Sequence, residues 1–76
     1  MPAKLPSLRP REVIRALQRV GFVVESGKGK GSHTFLRRAK DRRTTSVPKG
    51  DPVAKGTLRT IIRQAGLTVE QFVDLL

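Results

Sequence analysis

No cysteine occurs in this 76-residue chain, so neither a disulfide nor a thiolate metal site is available to it. Tryptophan and tyrosine are also missing, and the only aromatics besides the single histidine are Phe22, Phe35 and Phe72. Each sits in an apolar pattern, so core packing is the expectation for all three, with Phe35 the only plausible stacker among them. A base-stacking platform for single strands then has little support. Acids are scarce and scattered: Glu12, Glu25, Asp41, Asp51, Glu70 and Asp74. With one histidine beside them, no metal site and no cofactor are expected. No apolar run approaches the roughly 20 residues of a membrane span. Met1-Pro2-Ala3-Lys4 lacks the hydrophobic region of a secretory signal. A cytoplasmic protein with no membrane segment is the expectation.

What the chain has in excess is positive charge, +10 in all. Residues 1–43 hold twelve Lys or Arg against three acids, a net of +9; residues 44–76 hold four against three, a net of +1. Basicity is thus a property of the first half. Arginine outnumbers lysine, which suits bidentate phosphate contacts. This balance points to a polyanion, either nucleic acid or an acidic protein surface.

At this length one domain is expected over residues 1–76, with 1–9 an irregular lead-in. Pro10 suits a first helical turn, and Val13, Ile14, Leu17 and Val20 line one face of a helix over 10–20, closed by Gly21. Arg11, Arg15 and Arg19 repeat on another face. Three short β-rich runs follow, over 22–26, 32–37 and 43–47, separated by Gly27–Gly31 and by a polar turn over 39–42. Two short connections in succession imply an antiparallel meander. A second helix is expected from about Thr57 to Gly66 on Leu58, Ile61, Ile62 and Ala65. Thr68 and Gln71 form a capping box for a third, running to the C-terminus. The expected class is α+β. So few apolar residues cover only one face of a three-stranded sheet, so the helices should lie on that face.

Chemistry converges on Lys28-Gly29-Lys30-Gly31-Ser32-His33-Thr34-Phe35. Glycines let backbone approach a phosphate closely, and the lysines supply charge. His33 is the one side chain whose ordinary pKa lies near neutrality. A neutral imidazole is a general base at pH 7. RNA brings its own nucleophile, the 2′-hydroxyl, so no protein nucleophile is needed, and DNA would not be cut. Ser32 adjoins His33 in the chain, and strand neighbours face opposite ways, so a Ser–His pair is not expected; Ser32 is read as a backbone or phosphate contact. Alternation groups His33 with Phe35 and Arg37, but Phe35 suits the core and Arg37 the water, so the facing stays open. Arg11 and Arg15 are candidates to track a phosphate backbone. Arg37, Arg38, Lys40, Arg42 and Arg43 crowd one hairpin turn, more than solubility requires, and are candidates to meet RNA or an acidic inhibitor.

Four stretches in this order resemble the HicA family of toxins, also described as YcfA-like. They are Glu12–Leu17 leading to Gly21-Phe22, then Lys30-Gly31-Ser32-His33-Thr34-Phe35, then Val47-Pro48, then Lys55-Gly56-Thr57-Leu58-Arg59 running on to Leu67. Val69-Glu70-Gln71-Phe72 fits as well. The resemblance implies a double-stranded-RNA-binding-domain-like α-β-β-β-α fold, here with a short extra C-terminal helix. It implies a toxin of a toxin–antitoxin system that cleaves mRNA and is held in check by a HicB-like antitoxin. The family's essential histidine maps onto His33 and the glycine before it onto Gly31. Thr34 stands where relatives often carry a second histidine, and Lys55 where they often carry proline.

The reading that follows is a metal-independent endoribonuclease with His33 as general base. Lys28, Lys30, Gly31, Ser32, Arg37, Arg11 and Arg15 would contact phosphate. One rival is a pure protein-interaction module whose basic face meets an acidic partner; the other is a non-catalytic domain that binds duplex RNA by shape and phosphate contacts. It carries its basic residues at the start of the last core helix, where only Lys55 and Arg59 stand here.

Overall fold

The computed structural model describes residues 4–25 and 33–76. The elements are α1 (Pro10–Arg19), β1 (Val23–Val24), β2 (His33–Arg38), β3 (Arg43–Pro48), α2 (Lys55–Gln64) and α3 (Val69–Val73). The strands form one antiparallel sheet in the order β1-β2-β3. This is the expected α-β-β-β-α order with a third helix.

Helix α1 begins at Pro10, whose missing amide hydrogen costs nothing in a first turn. Glu12 reaches back to accept from the Arg9 amide at 2.9 Å. Both long helices end in the same way. Gly21 at φ +95° and Gly66 at φ +76° occupy the left-handed region that closes a helix. Around them Phe22 N–H donates to the Leu17 carbonyl (3.2 Å) and Leu67 N–H to that of Ile62 (3.1 Å). Helix α2 starts at Lys55, two residues before the expected Thr57. Its cap is Ala54, which offers no side-chain acceptor and so no sequence signal. The capping box of α3 forms in both directions, Gln71 N–H to Thr68 Oγ1 (3.0 Å) and Thr68 N–H to Gln71 Oε1 (2.9 Å). That helix does not run to the C-terminus. It gives way after Val73 to a tight turn in which Leu75 and Leu76 donate to carbonyls three residues back.

The helices lie on one face of the sheet. Val13, Ala16 and Leu17 of α1, Leu58, Ile61 and Ile62 of α2, and Phe72 of α3 meet Leu36 and Val47 from the strands. Leu5 and Leu8 are buried too, so the irregular lead-in contributes to the core. It is pinned by Val53 N–H donating to the Leu8 carbonyl (2.8 Å) and by Lys55 Nζ donating to that of Leu5 (2.6 Å). That bond answers the lysine's unfavourable charge at a helix N-terminus.

Arg38 ties these parts together. Its guanidinium donates to the Val20 carbonyl that caps α1 (3.0 Å) and to the Ala65 carbonyl that caps α2 (3.1 Å). It lies 4.7 Å from the centre of the Phe22 ring and forms a fork with Asp41 at 3.1 and 2.8 Å. Arg43 adds a bond to the Gln64 carbonyl (3.3 Å) and an ion pair with Asp41 (3.3 Å). These two arginines of the hairpin cluster therefore serve the fold, and Arg37, Lys40 and Arg42 remain on the surface.

Substitutions at this junction have calculable effects. Arg38→Ala strips two cap carbonyls of charge-assisted bonds worth about 1.5–3 kcal/mol each. Urea unfolding should show a loss of about 2–3 kcal/mol, since water reaches part of the site. The Arg38 hydrogen bonds, with help from Arg43, hold the Asp41 carboxyl down from the ordinary 3.8 to about 2. A depressed folded-state value stabilises above the unfolded value and is lost on acidification. Wild type should lose that stability as pH falls from about 4 to about 2, and Asp41→Asn should remove this component of the acid slope. Finally, a Cβ at Gly66 would stand 2.7 Å from the Arg43 guanidinium, on a left-handed backbone. Gly66→Ala should cost about 1–2 kcal/mol in the same unfolding measurement.

Candidate nucleic-acid interface

Leu36 is buried at the centre of β2, and side chains alternate along a strand. Thr34, Leu36 and Arg38 turn toward the helices, and His33, Phe35 and Arg37 toward the face that no helix among the described residues covers. The facing of His33, open from the sequence, is thereby resolved: it is exposed, at the start of β2.

Phe35 departs from expectation. It is not in the core; its side chain lies on the open face, and 38 % of the residue's surface is exposed. The reason is parity. Leu36 and Phe35 are both apolar, and only one can face inward. Arg38, committed to the two helix caps, gives Leu36 the inward side. Phe35 then stands beside His33, their ring centres 6.5 Å apart and their planes tilted by 46°.

Register completes the face. Val23 and Thr44 flank Arg37, Glu25 and Ser46 flank Phe35, and Pro48 is opposite His33. Val23 is 64 % exposed. The result is a shallow polar and apolar surface with an imidazole, a phenyl ring and a guanidinium at alternate positions of one strand. Such a surface offers a proton acceptor, a flat apolar contact and an anion contact in a row.

The remaining expected site residues divide in two. Lys28, Lys30, Gly31 and Ser32 lie outside the described residues, in the segment that precedes His33 in the chain. Arg11 and Arg15 are on α1, in the helix layer, with the core between them and the open sheet face. They line a groove with Arg9 and Glu12 and are not brought to His33. Phe35 is the residue that sequence reasoning misassigned. The signal that finds it is the two-residue period counted from Leu36. Among the described residues, no three His, Cys, Asp or Glu side chains gather as a metal-ligating group. No helix among them is long and apolar enough to cross a membrane.

Comparison with known proteins adds one finding. No curated protein matches the chain. Residues 10–67, from the first residue of α1 to just past the cap of α2, match the family model described as HicA toxin of bacterial toxin-antitoxin. That span covers most of the chain and takes in the whole sheet, His33 included. Fold order and matched span agree, and the chain belongs to the HicA family of bacterial toxin–antitoxin toxins.

Proposed function

We propose that this toxin acts as a metal-independent endoribonuclease on mRNA, with His33 as general base. The observation that carries the reading is the placement of His33: exposed, at the head of β2, on the sheet face that no helix among the described residues covers, in the half of the chain with net charge +9.

Bound RNA presents its 2′-hydroxyl to the imidazole. His33 takes the proton as the 2′-oxygen forms a bond to the adjacent phosphorus. The bond from phosphorus to the 5′-oxygen breaks, and that oxygen takes a proton from a lysine, a water or the now protonated His33. The ends produced are a 2′,3′-cyclic phosphate and a 5′-hydroxyl. Arg37, on the same face, contacts the phosphate and offsets charge that builds on it. Lys28 and Lys30, with Gly31 and Ser32, supply further phosphate contacts from the segment before His33. Arg11 and Arg15 serve backbone contacts away from the reacting atoms. A HicB-like antitoxin with an acidic surface would silence the toxin by covering His33 and this basic half.

The test is cleavage of an end-labelled mRNA in excess EDTA, wild type against His33→Ala. General-base removal should lower the rate by about 10²–10⁴-fold, with unchanged circular dichroism. Arg37→Ala should give a smaller loss and a shallower salt dependence of binding. Equal cutting by the His33 variant would refute the assignment. Binding by both without cutting would replace the enzyme with a duplex-binding domain.

A further inference from the structure

We infer that Phe35 is a base-stacking platform, and that the open face of β2 selects an unpaired nucleotide for the reaction at His33. The inference deepens the nuclease reading and rests on it for the role of His33.

Phe35 is not part of the hydrophobic core. Among the described residues no helix covers its side of the sheet, and 38 % of its surface is exposed. The residues beside it in register are Ser46, which is small, and Glu25, whose amide donates to the Phe35 carbonyl at 2.9 Å. Neither is an apolar cover. His33 stands beside the ring, and Arg37 follows two residues on along the same face of β2. An exposed aromatic between an imidazole and a guanidinium, on a strongly cationic chain, has the components of a single-strand RNA site: a π-face for a base and a cation for the backbone. The chain's charge favours RNA over an apolar protein surface as the occupant.

Geometry links stacking to chemistry. A base lying on Phe35 carries its ribose at its edge. The imidazole centre, 6.5 Å from the ring centre, lies on the scale of one nucleoside. The stacked nucleotide then offers its own 2′-hydroxyl to His33, with its phosphate toward a cation. A base paired within a duplex is held between its neighbours and cannot lie on Phe35, so the interior of duplex RNA is excluded from this arrangement. The preference for an unpaired nucleotide follows from one ring on the exposed side of one strand.

The chain contains no tryptophan or tyrosine, so Phe35→Trp introduces a sole indole emitter at the platform. The probe is a 2′-O-methyl oligoribonucleotide, which has no free 2′-hydroxyl and is not cut, used single-stranded and annealed to its complement. Stacking predicts quenching of the introduced indole by the single strand and little by the duplex. A second variant, Phe35→Leu, keeps apolar bulk without a π-face. Its affinity for the single strand, by anisotropy of a labelled oligomer, should fall by roughly 5- to 150-fold, the range for one stacked base. Its cleavage of unmodified RNA should show the loss mainly in KM. Both variants should keep the wild-type circular dichroism, since residue 35 is outside the core. Equal quenching by duplex and single strand, or unchanged affinity in Phe35→Leu, would overturn the inference. So would an indole that responds to an acidic protein surface and not to RNA. Quenching by the single strand in a protein that never cuts RNA would sustain the stacking role while removing the nuclease reading.

Discussion

Everything on the functional side of this molecule depends on where Arg38 points. Its guanidinium donates to two carbonyls at once, those that cap α1 and α2, and it lies over Phe22 while Asp41 balances its charge. A helix C-terminus carries a partial negative charge, so one cation placed at two such ends interacts favourably with both. The side chain is only 12 % exposed, so water reaches these bonds only in part. With Arg38 turned inward, β2 has a single possible parity. A slip of one residue would bury His33, Phe35 and Arg37 and expose Leu36. Apolar burial alone would not settle this choice, because Phe35 and Leu36 both suit a core. A largely buried cation with every contact made settles it.

The parts of the fold that follow from local chemistry are legible in the sequence. Pro10, Gly21, Gly66 and the Thr68–Gln71 box each mark a helix end through a backbone requirement of its own. Short connections likewise enforce the antiparallel order. What escapes is set by residues far apart in the chain. Lys55 begins α2 with its ammonium bonded to Leu5, fifty positions away, and nothing near Ala54 announces a cap. Arg38 and Arg43 look like surface charge until the C-termini of two helices arrive beside them. Phe35 looks like core for the same reason. Its exposure is a consequence of Arg38, three residues on, whose partners lie at Val20 and Ala65. His33 itself is legible as the one imidazole, while its facing is a tertiary property.

The positive charge also resolves into different duties. Arg38 and Arg43 hold helix ends, and Arg19 donates to the Leu75 carbonyl. Lys55 fastens the lead-in. Such side chains are committed within the fold, and a count of basic residues overstates what a polyanion can meet. Arg37 belongs to the open sheet face, and Arg11 and Arg15 to the helix layer. On the nuclease reading, the reacting phosphate is the concern of Arg37. The two helix arginines act at a distance, on backbone that continues past the site or on a partner's acidic surface.

A reaction that needs no protein nucleophile asks little of the fold except position. On the nuclease reading the reacting oxygen belongs to the RNA, so the protein must hold an imidazole and a ribose in one geometry, and small displacements are costly. A strand suits this task. Alternate residues on one face are spaced by the backbone itself, and the inward neighbours Thr34, Leu36 and Arg38 anchor that backbone to the core layer. The alternation that sets Arg38 against two helix caps thereby sets Phe35 and His33 side by side at the surface. On that reading stability and chemistry are coupled through one strand. A substitution that frees Arg38 from its carbonyls loosens the platform on which the imidazole stands, although it touches no substrate.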